Sequence, residues 1–365
     1  MTEDGMELNG LYCGRNQKSD TSMQKSGGPS PKPGPRSLTP DSVCVVHVHG
    51  WDGNFYENRF VDHAAQVCSR VGIGFVSGNN RGHDYIADIL RDTRTVGQGP
   101  LRPSQKLEAR SQKSEVGAAE GDEGSQKAKA KSQKPKGADR YDYVQIGGIY
   151  EELTDCVADI RTWVEFAVGR GARRVILQGH SHGAIKVAHY LLTTRDPRVC
   201  GLILLSPSDD MGIGRRDLGN KLFERLLDTA HALMHAGMGR QLLPVKELKY
   251  PVSAATFLDC HNKDSITGMF NMSRTDRKEF PELGSIRAPV LLAVGTVEEA
   301  FVGAPQKYVQ DIQACMANCP SFTGAVIEGA PHNYLGREAQ LAGVLEKWLR
   351  QRIQGVKESR IRGRV

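Results

Sequence analysis

The chain has 365 residues, enough for one large domain or two ordinary ones, and 39% of them are hydrophobic, ample for a buried core. Its formal net charge of +6 sits on appendages: residues 101–140 carry a surplus of four positive charges, 350–365 five and 1–40 one, which leaves the remainder at −4. That placement argues against a nucleic-acid-binding face, and no apolar run of about 18 residues suggests a membrane span.

The opening residues, "MTEDGMELNG", are acidic and lack the charged-then-apolar order of a signal peptide. Residues 1–40 read as a leading strand followed by a disordered loop, because 14–40 is rich in Gly, Pro, Ser and Lys with almost no large apolar group. A second solvated stretch covers 96–138, where Ser-Gln-Lys recurs at 104, 111, 125 and 132 amid Ala, Gly and charge. The eight cysteines (13, 44, 68, 156, 200, 260, 315 and 319) are scattered without a C-x-x-C pair. Cys315 and Cys319 are spaced as one face of a helix. All eight read as reduced thiols of a cytoplasmic protein rather than a disulfide frame or zinc site.

Between the solvated stretches, short apolar runs alternate with helical periodicity. The segments 43–50, 72–79, 173–179, 201–207, 289–295 and 324–330 read as buried strands ending in turn residues. Helices are predicted over 58–72, 153–171, 184–194, 305–317 and 339–353. This alternation predicts an α/β fold, a doubly wound and mostly parallel sheet covered on both faces. Residues 41–95 and 139–208 would form the first part of its core, 287–353 the second, and 354–365 a basic tail. From 209 to 286 the alternation breaks. A helix there carries Leu218, Leu222, Leu226, Ala230 and Leu233 along one stripe; read plainly it is a packed helix, but its place in the chain predicts a cap over the strand ends.

Functional residues of such sheets gather at the carboxyl ends of the strands. There "LQGHSHG" (177–183) overlays G-x-S-x-G on H-x-H, and the two patterns imply different chemistries. Strand, G-x-S-x-G, then helix is the context of a nucleophile elbow: Gly179 and Gly183 leave room for a strained turn at Ser181. A serine needs a base, and the base an orienting acid. His332, in the loop after the last strand, is the candidate base. Glu298 and Glu299, after the preceding strand, are candidate acids, with Asp209 and Asp210 in "LSPSDDMG" as alternatives that equally well cap the next helix. Backbone amides of Trp51, following Gly50, and of His182 would form the oxyanion hole.

"HVHG" (47–50), "NNRGHD" (79–84), "GHSHG" and "GAPHN" fall in the order and spacing of the α/β-hydrolase superfamily, and "DGMELNGLYCG" (4–14) is similar to its leading D-G-x-x-L-x-G strand. The resemblance covers nearly the whole chain apart from the low-complexity stretches and the tail. It points to an esterase-like branch that includes fungal siderophore esterases. It implies cofactor-free serine hydrolysis, most often of carboxylic esters, with a small-molecule ester as substrate. It also places the acid about three residues beyond a glycine such as Gly295, which favours Glu298. Departures from the pattern are His182 in the elbow, the two adjacent glutamates and the insertion before Tyr141. The same parts serve thioesterases and acyltransferases.

Two other classes compete. His47, His49, His83, His180, His182 and His332, with Asp52, would suit a metal-dependent hydrolase, yet that reading leaves the G-x-S-x-G elbow without a purpose. A non-catalytic member that only binds a small molecule would have no need of serine, histidine and acid together. Oligomeric state is not written in the sequence.

Overall fold

The computed structural model describes residues 1–14, 43–92, 141–244, 246, 248, 250–263, 265–274 and 279–362. The predicted low-complexity loops fall almost wholly outside these residues. In chain order the strands are β1 (Gly10–Cys13), β2 (Val43–Val48), β3 (Gly74–Gly78), β4 (Ala87–Asp92), β5 (Tyr141–Ile146), β6 (Arg174–His180), β7 (Val199–Leu205), β8 (Val290–Val297) and β9 (Phe322–Pro331). The helices are α1 (Arg59–Val71), α2 (Cys156–Gly169), α3 (His182–Thr194), α4 (Asp210–Leu218), α5 (Asn220–His235), α6 (Ala254–His261), α7 (Pro281–Gly284), α8 (Pro305–Cys315) and α9 (Glu338–Arg362).

Seven strands form one sheet in the order β1-β3-β2-β6-β7-β8-β9, parallel throughout except for β1 at the edge. Parallel sheets are covered on both faces, and β2 shows the consequence: all six of its residues are buried. Cys44, Val46 and Val48 enter one core with α2, α3 and α8, while Val43 and Val45 enter the other with α1 and α9. The doubly wound, mostly parallel α/β architecture is therefore the one the alternation predicts.

Between β7 and β8, helices α4, α5 and α6 form the cap. Phe223, Leu226, Ala230, Leu243, Val252 and Phe257 pack into a third apolar cluster, and Trp51 from the loop after β2 packs against it. The predicted helix is two, broken at Gly219: Leu218 closes α4, and of the predicted stripe on α5 only Leu226 and Ala230 are fully buried, Leu233 being partly so. Phe223 is fully buried, whereas Leu222 is only partly so.

Other differences lie at element ends. Gly72 is the left-handed C-cap of α1 at φ 78°, so β3 starts two residues later than the apolar run. Helix α8 stops at Cys315, which puts Cys319 beyond it, its thiol donating to the carbonyls of Ala288 and Ser321. Helix α9 runs on to Arg362, past the predicted start of the tail at 354. The eight cysteines are free thiols.

The sequence reading missed the β4–β5 hairpin, whose arms flank residues 93–140. Asp92 pairs with Tyr141, so the chain leaves and re-enters at facing positions that a short turn can join. Replacing residues 98–138 by a brief Gly/Ser linker is expected to shift Tm by less than about 4 °C, the size of a ~1 kcal/mol change. Calorimetry of the two proteins checks this; a drop well beyond that size would make the segment part of the folded body.

Candidate active site

Strand β6 ends at His180 and α3 begins at His182, so Ser181 alone makes the turn, at φ 57° and ψ −129°. Non-glycine residues held in such a conformation cost about 1–3 kcal/mol, and the surroundings must impose it. Here the Ser181 amide donates to Leu205 O and the Ala184 amide to Ser181 O, at 2.8 and 2.9 Å. A Cβ at position 179 would lie 2.1 Å from Gly183 O, and one at 183 would lie 2.3 Å from Val48 O. Only glycine fits at either place.

His332 follows β9 and Glu298 follows β8, and the pairing of these strands brings the two side chains together. His332 Nδ1 donates to Glu298 Oε1 across 2.7 Å. The same oxygen accepts the amides of Glu299 and Ala300, both at 3.0 Å. Burial by itself would raise the Glu298 pKa, but the hydrogen bond and charge of His332 outweigh it and hold the carboxyl down at about 2. Glu298 thus remains an acceptor that fixes the imidazole, with its other nitrogen free to take a proton.

His180 supports this arrangement from behind. Burial, together with the neighbouring His332, pushes its pKa down to about 3, and Nε2–H of this neutral ring donates to His332 O at 2.9 Å. Ser181 and His332 line one cavity of about 760 Å³, roofed by Ile213, Leu218, Phe257 and Cys260 of the cap.

The other acid candidates are engaged elsewhere. Asp209 is the N-cap of α4, accepting the Gly212 amide, and it also accepts the amide of Ser273. Asp210 faces His182 Nδ1 at 3.3 Å. Glu299 is exposed, and its carbonyl accepts a hydrogen bond from Arg216.

Of the two proposed oxyanion donors, the His182 amide opens α3, where no preceding helical turn supplies an acceptor. The backbone before Trp51 passes directly against the serine: a Cβ on Gly50 would meet Ser181 Cβ at 2.9 Å and Oγ at 3.4 Å.

The histidines weighed for a metal do not share one centre. His47 accepts from Gln178 Nε2 and packs between Phe60 and Phe75. His49 bridges Gly50 O and the Asn80 amide, and His83 pairs with Asp84. Among the described residues, the donors that do gather are one each from His182, Asp210 and Cys260, within 4.8 Å of one another.

Sequence reasoning missed the partners Lys186 and Glu151. Both are buried, and they form an ion pair of 2.6 Å beneath the loop of Gly50. The signal was a lysine inside "AIKVAHYLL", a helix apolar nearly all round, where a charge needs a buried partner.

A family model described as "Protein of unknown function (DUF1749)" matches residues 146–356, more than half of the chain. Among solved structures, Est1E from Butyrivibrio proteoclasticus, solved with ferulic acid bound, superposes with a TM-score of 0.54 at 14% identity. That match covers 96% of this chain and 97% of the other. The monoacylglycerol lipase of Paleococcus ferrophilus superposes at 0.52 and 16% identity, covering 95% of this chain and all of the other. No curated protein matches the sequence. Identities this low carry the fold alone, and the fold they carry is that of the α/β hydrolases, a mostly parallel sheet with helices on both faces. By the span of its family match and by this architecture, the chain belongs to the DUF1749 family and has the α/β-hydrolase fold.

Proposed function

We propose that the protein is a serine hydrolase that cleaves carboxylic esters of small or medium-sized molecules through an acyl-enzyme on Ser181. The observation that carries this reading is a serine strained to positive φ in the same cavity as a histidine fixed by a buried glutamate. Ser181 Oγ attacks the ester carbonyl while His332 takes its proton. The Trp51 and His182 amides hold the oxyanion. As the intermediate collapses, the bond to the alkoxy oxygen breaks and His332 returns the proton to the leaving alcohol. Water, deprotonated by the same imidazole, then releases the acid and restores Ser181. Among the described residues Ser181 Oγ makes no hydrogen bond to His332, and such contacts commonly tighten only when substrate is bound.

A fluorophosphonate probe followed by peptide mapping tests the proposal, and labelling at Ser181 is the expected result. A metal-dependent hydrolase, resting on His182, Asp210 and Cys260, would instead lose activity to a chelator and leave Ser181 unmodified. A binding-only protein would show neither response.

The cavity walls also set a charge preference. Among the described residues, Asp52, Glu57, Asp210, Asp217 and Glu299 line the cavity against the guanidinium of Arg216, which is itself paired with Asp217. Esters with a cationic alcohol or acyl end are expected to outperform neutral isosteres, and carboxylated ones to be poor. Burial raises the Asp52 pKa to about 6, with Glu57 adding to the rise while the Tyr85 hydroxyl and Lys186 oppose it. Its charge therefore appears as pH rises through about 6, and the preference for the cationic ester should grow in the same interval. The ratio of kcat/KM values for a matched pair, measured across that interval, checks the sign; a flat ratio would remove Asp52 from substrate recognition.

A further inference from the structure

The Gly50–Trp51 peptide is the part of the proposed oxyanion hole that no regular element holds. Its carbonyl oxygen faces inward and accepts from two donors, His49 Nδ1 at 2.9 Å and Lys186 Nζ at 3.3 Å. His49 is fully buried, and that burial, with the charge of Lys186 adding to it, holds its pKa well below the ordinary value, so the ring is neutral. Its Nε2 accepts the Asn80 amide at 3.0 Å, which leaves the proton on Nδ1, directed at Gly50 O.

A trans peptide is planar, with C=O and N–H pointing in opposite directions. Holding Gly50 O on His49 and Lys186 therefore turns the Trp51 N–H away from them, in a loop that passes against Ser181, where a Cβ on Gly50 would meet Oγ at 3.4 Å. From these contacts we infer that Lys186 is a positioning residue for the oxyanion hole: its ammonium clamps the Gly50 carbonyl and so aims and polarises the Trp51 amide. This rests on the reading of Ser181 as an acyl-transfer nucleophile.

The chain is built around this ammonium. Lys186 lies on α3, the helix that opens one residue after Ser181, so nucleophile and clamp share one rigid element. Glu151 Oε1 meets Nζ at 2.6 Å and Asn80 Oδ1 at 3.2 Å. A Cβ at position 82 would lie 2.0 Å from the Glu151 carboxyl carbon and would displace that carboxylate from Lys186. The loop that carries Asn80 is in turn fixed to α2, where Asp159 binds both the amide and the guanidinium of Arg81. A buried ion pair contributes little net stability compared with apolar residues of similar volume. Three elements nevertheless converge on this one, and the third acceptor of its ammonium is the Gly50 carbonyl.

The test compares Lys186→Met with the double variant Lys186→Met/Glu151→Met. The single variant leaves a buried carboxylate unpaired and is expected to lose thermal stability. The double variant removes both charges and should recover Tm. Both should show kcat lowered about ten- to a hundredfold with KM nearly unchanged, a large part of what losing one oxyanion donor costs. Affinity for a trifluoromethyl ketone, which forms a tetrahedral oxyanion on the serine, should fall in parallel with kcat. A double variant that regains both Tm and wild-type kcat would reduce the pair to mutual charge compensation and overturn the inference. Wild-type protein that turns over esters but is not labelled at Ser181 by fluorophosphonate would remove the nucleophile reading beneath it. Labelled wild-type protein with an unimpaired Lys186→Met would sink the clamp alone.

Discussion

Replacing Ser181 by alanine is expected to abolish fluorophosphonate labelling and to lower ester turnover by about 10³-fold or more, with residual catalysis from the oxyanion hole and binding. The protein should stay folded, and for a physical reason. The elbow is imposed by its surroundings, namely the hydrogen bonds of the Ser181 and Ala184 amides and the glycines at 179 and 183, none of which involves the serine hydroxyl. Alanine can be held at the same φ and ψ by the same contacts. Any stability change belongs to the loss of one small hydroxyl, within about 1 kcal/mol. A glycine-to-valine change at 179 or 183 would behave oppositely, since its side chain has no room. Turnover that survives Ser181→Ala but disappears on chelation would transfer the chemistry to His182, Asp210 and Cys260.

Much of the fold is legible in the amino-acid sequence. The fully buried β2 and the nearly fully buried β6 and β7 announce themselves as almost continuous apolar runs, because a parallel strand has no solvent face to encode. The elbow is legible because backbone strain demands glycines at fixed spacing. What escaped had weaker local signatures. The β4–β5 hairpin has a weak apolar face: among the described side chains, the hydrophobic ones that "ADILRD" and "YDYVQI" bury are Ile89 and Ile146, with Met6 in a small satellite cluster. The Lys186–Glu151 pair is long-range, and nothing near Glu151 names its partner. His49 and His180 could be read as metal ligands because sequence shows residue type but not which nitrogen is engaged. In the fold each is held by a backbone partner.

The acid was the least determined member, since four carboxylates stood within reach in the chain. We propose Glu298 from what each carboxylate already holds. Glu298 alone among them accepts from His332, with its carboxylate wholly buried and two further amides on the same oxygen. Glu298→Gln keeps the volume but removes the charge that stabilises the imidazolium, and it permits the wrong tautomer. Turnover should fall by about 10²- to 10⁴-fold, with Ser181 still in place. Glu299→Gln, on an exposed side chain, should stay near wild type. Asp209→Asn keeps an acceptor for the Gly212 amide but sets an NH2 group against the Ser273 amide, so it should cost stability, about 1 kcal/mol, more than it costs catalysis. Asp210→Asn should alter substrate choice through His182 and the cavity wall. The pH dependence of stability gives an independent reading of Glu298. Its folded pKa is depressed from 4.5 to about 2, so its stabilising contribution is complete above 4.5 and is lost as pH falls toward 2. The Tm difference between wild type and Glu298→Gln should therefore be widest above pH 4.5 and close at lower pH. Near-normal turnover in Glu298→Gln, beside collapse of either aspartate variant, would move the acid to the end of β7.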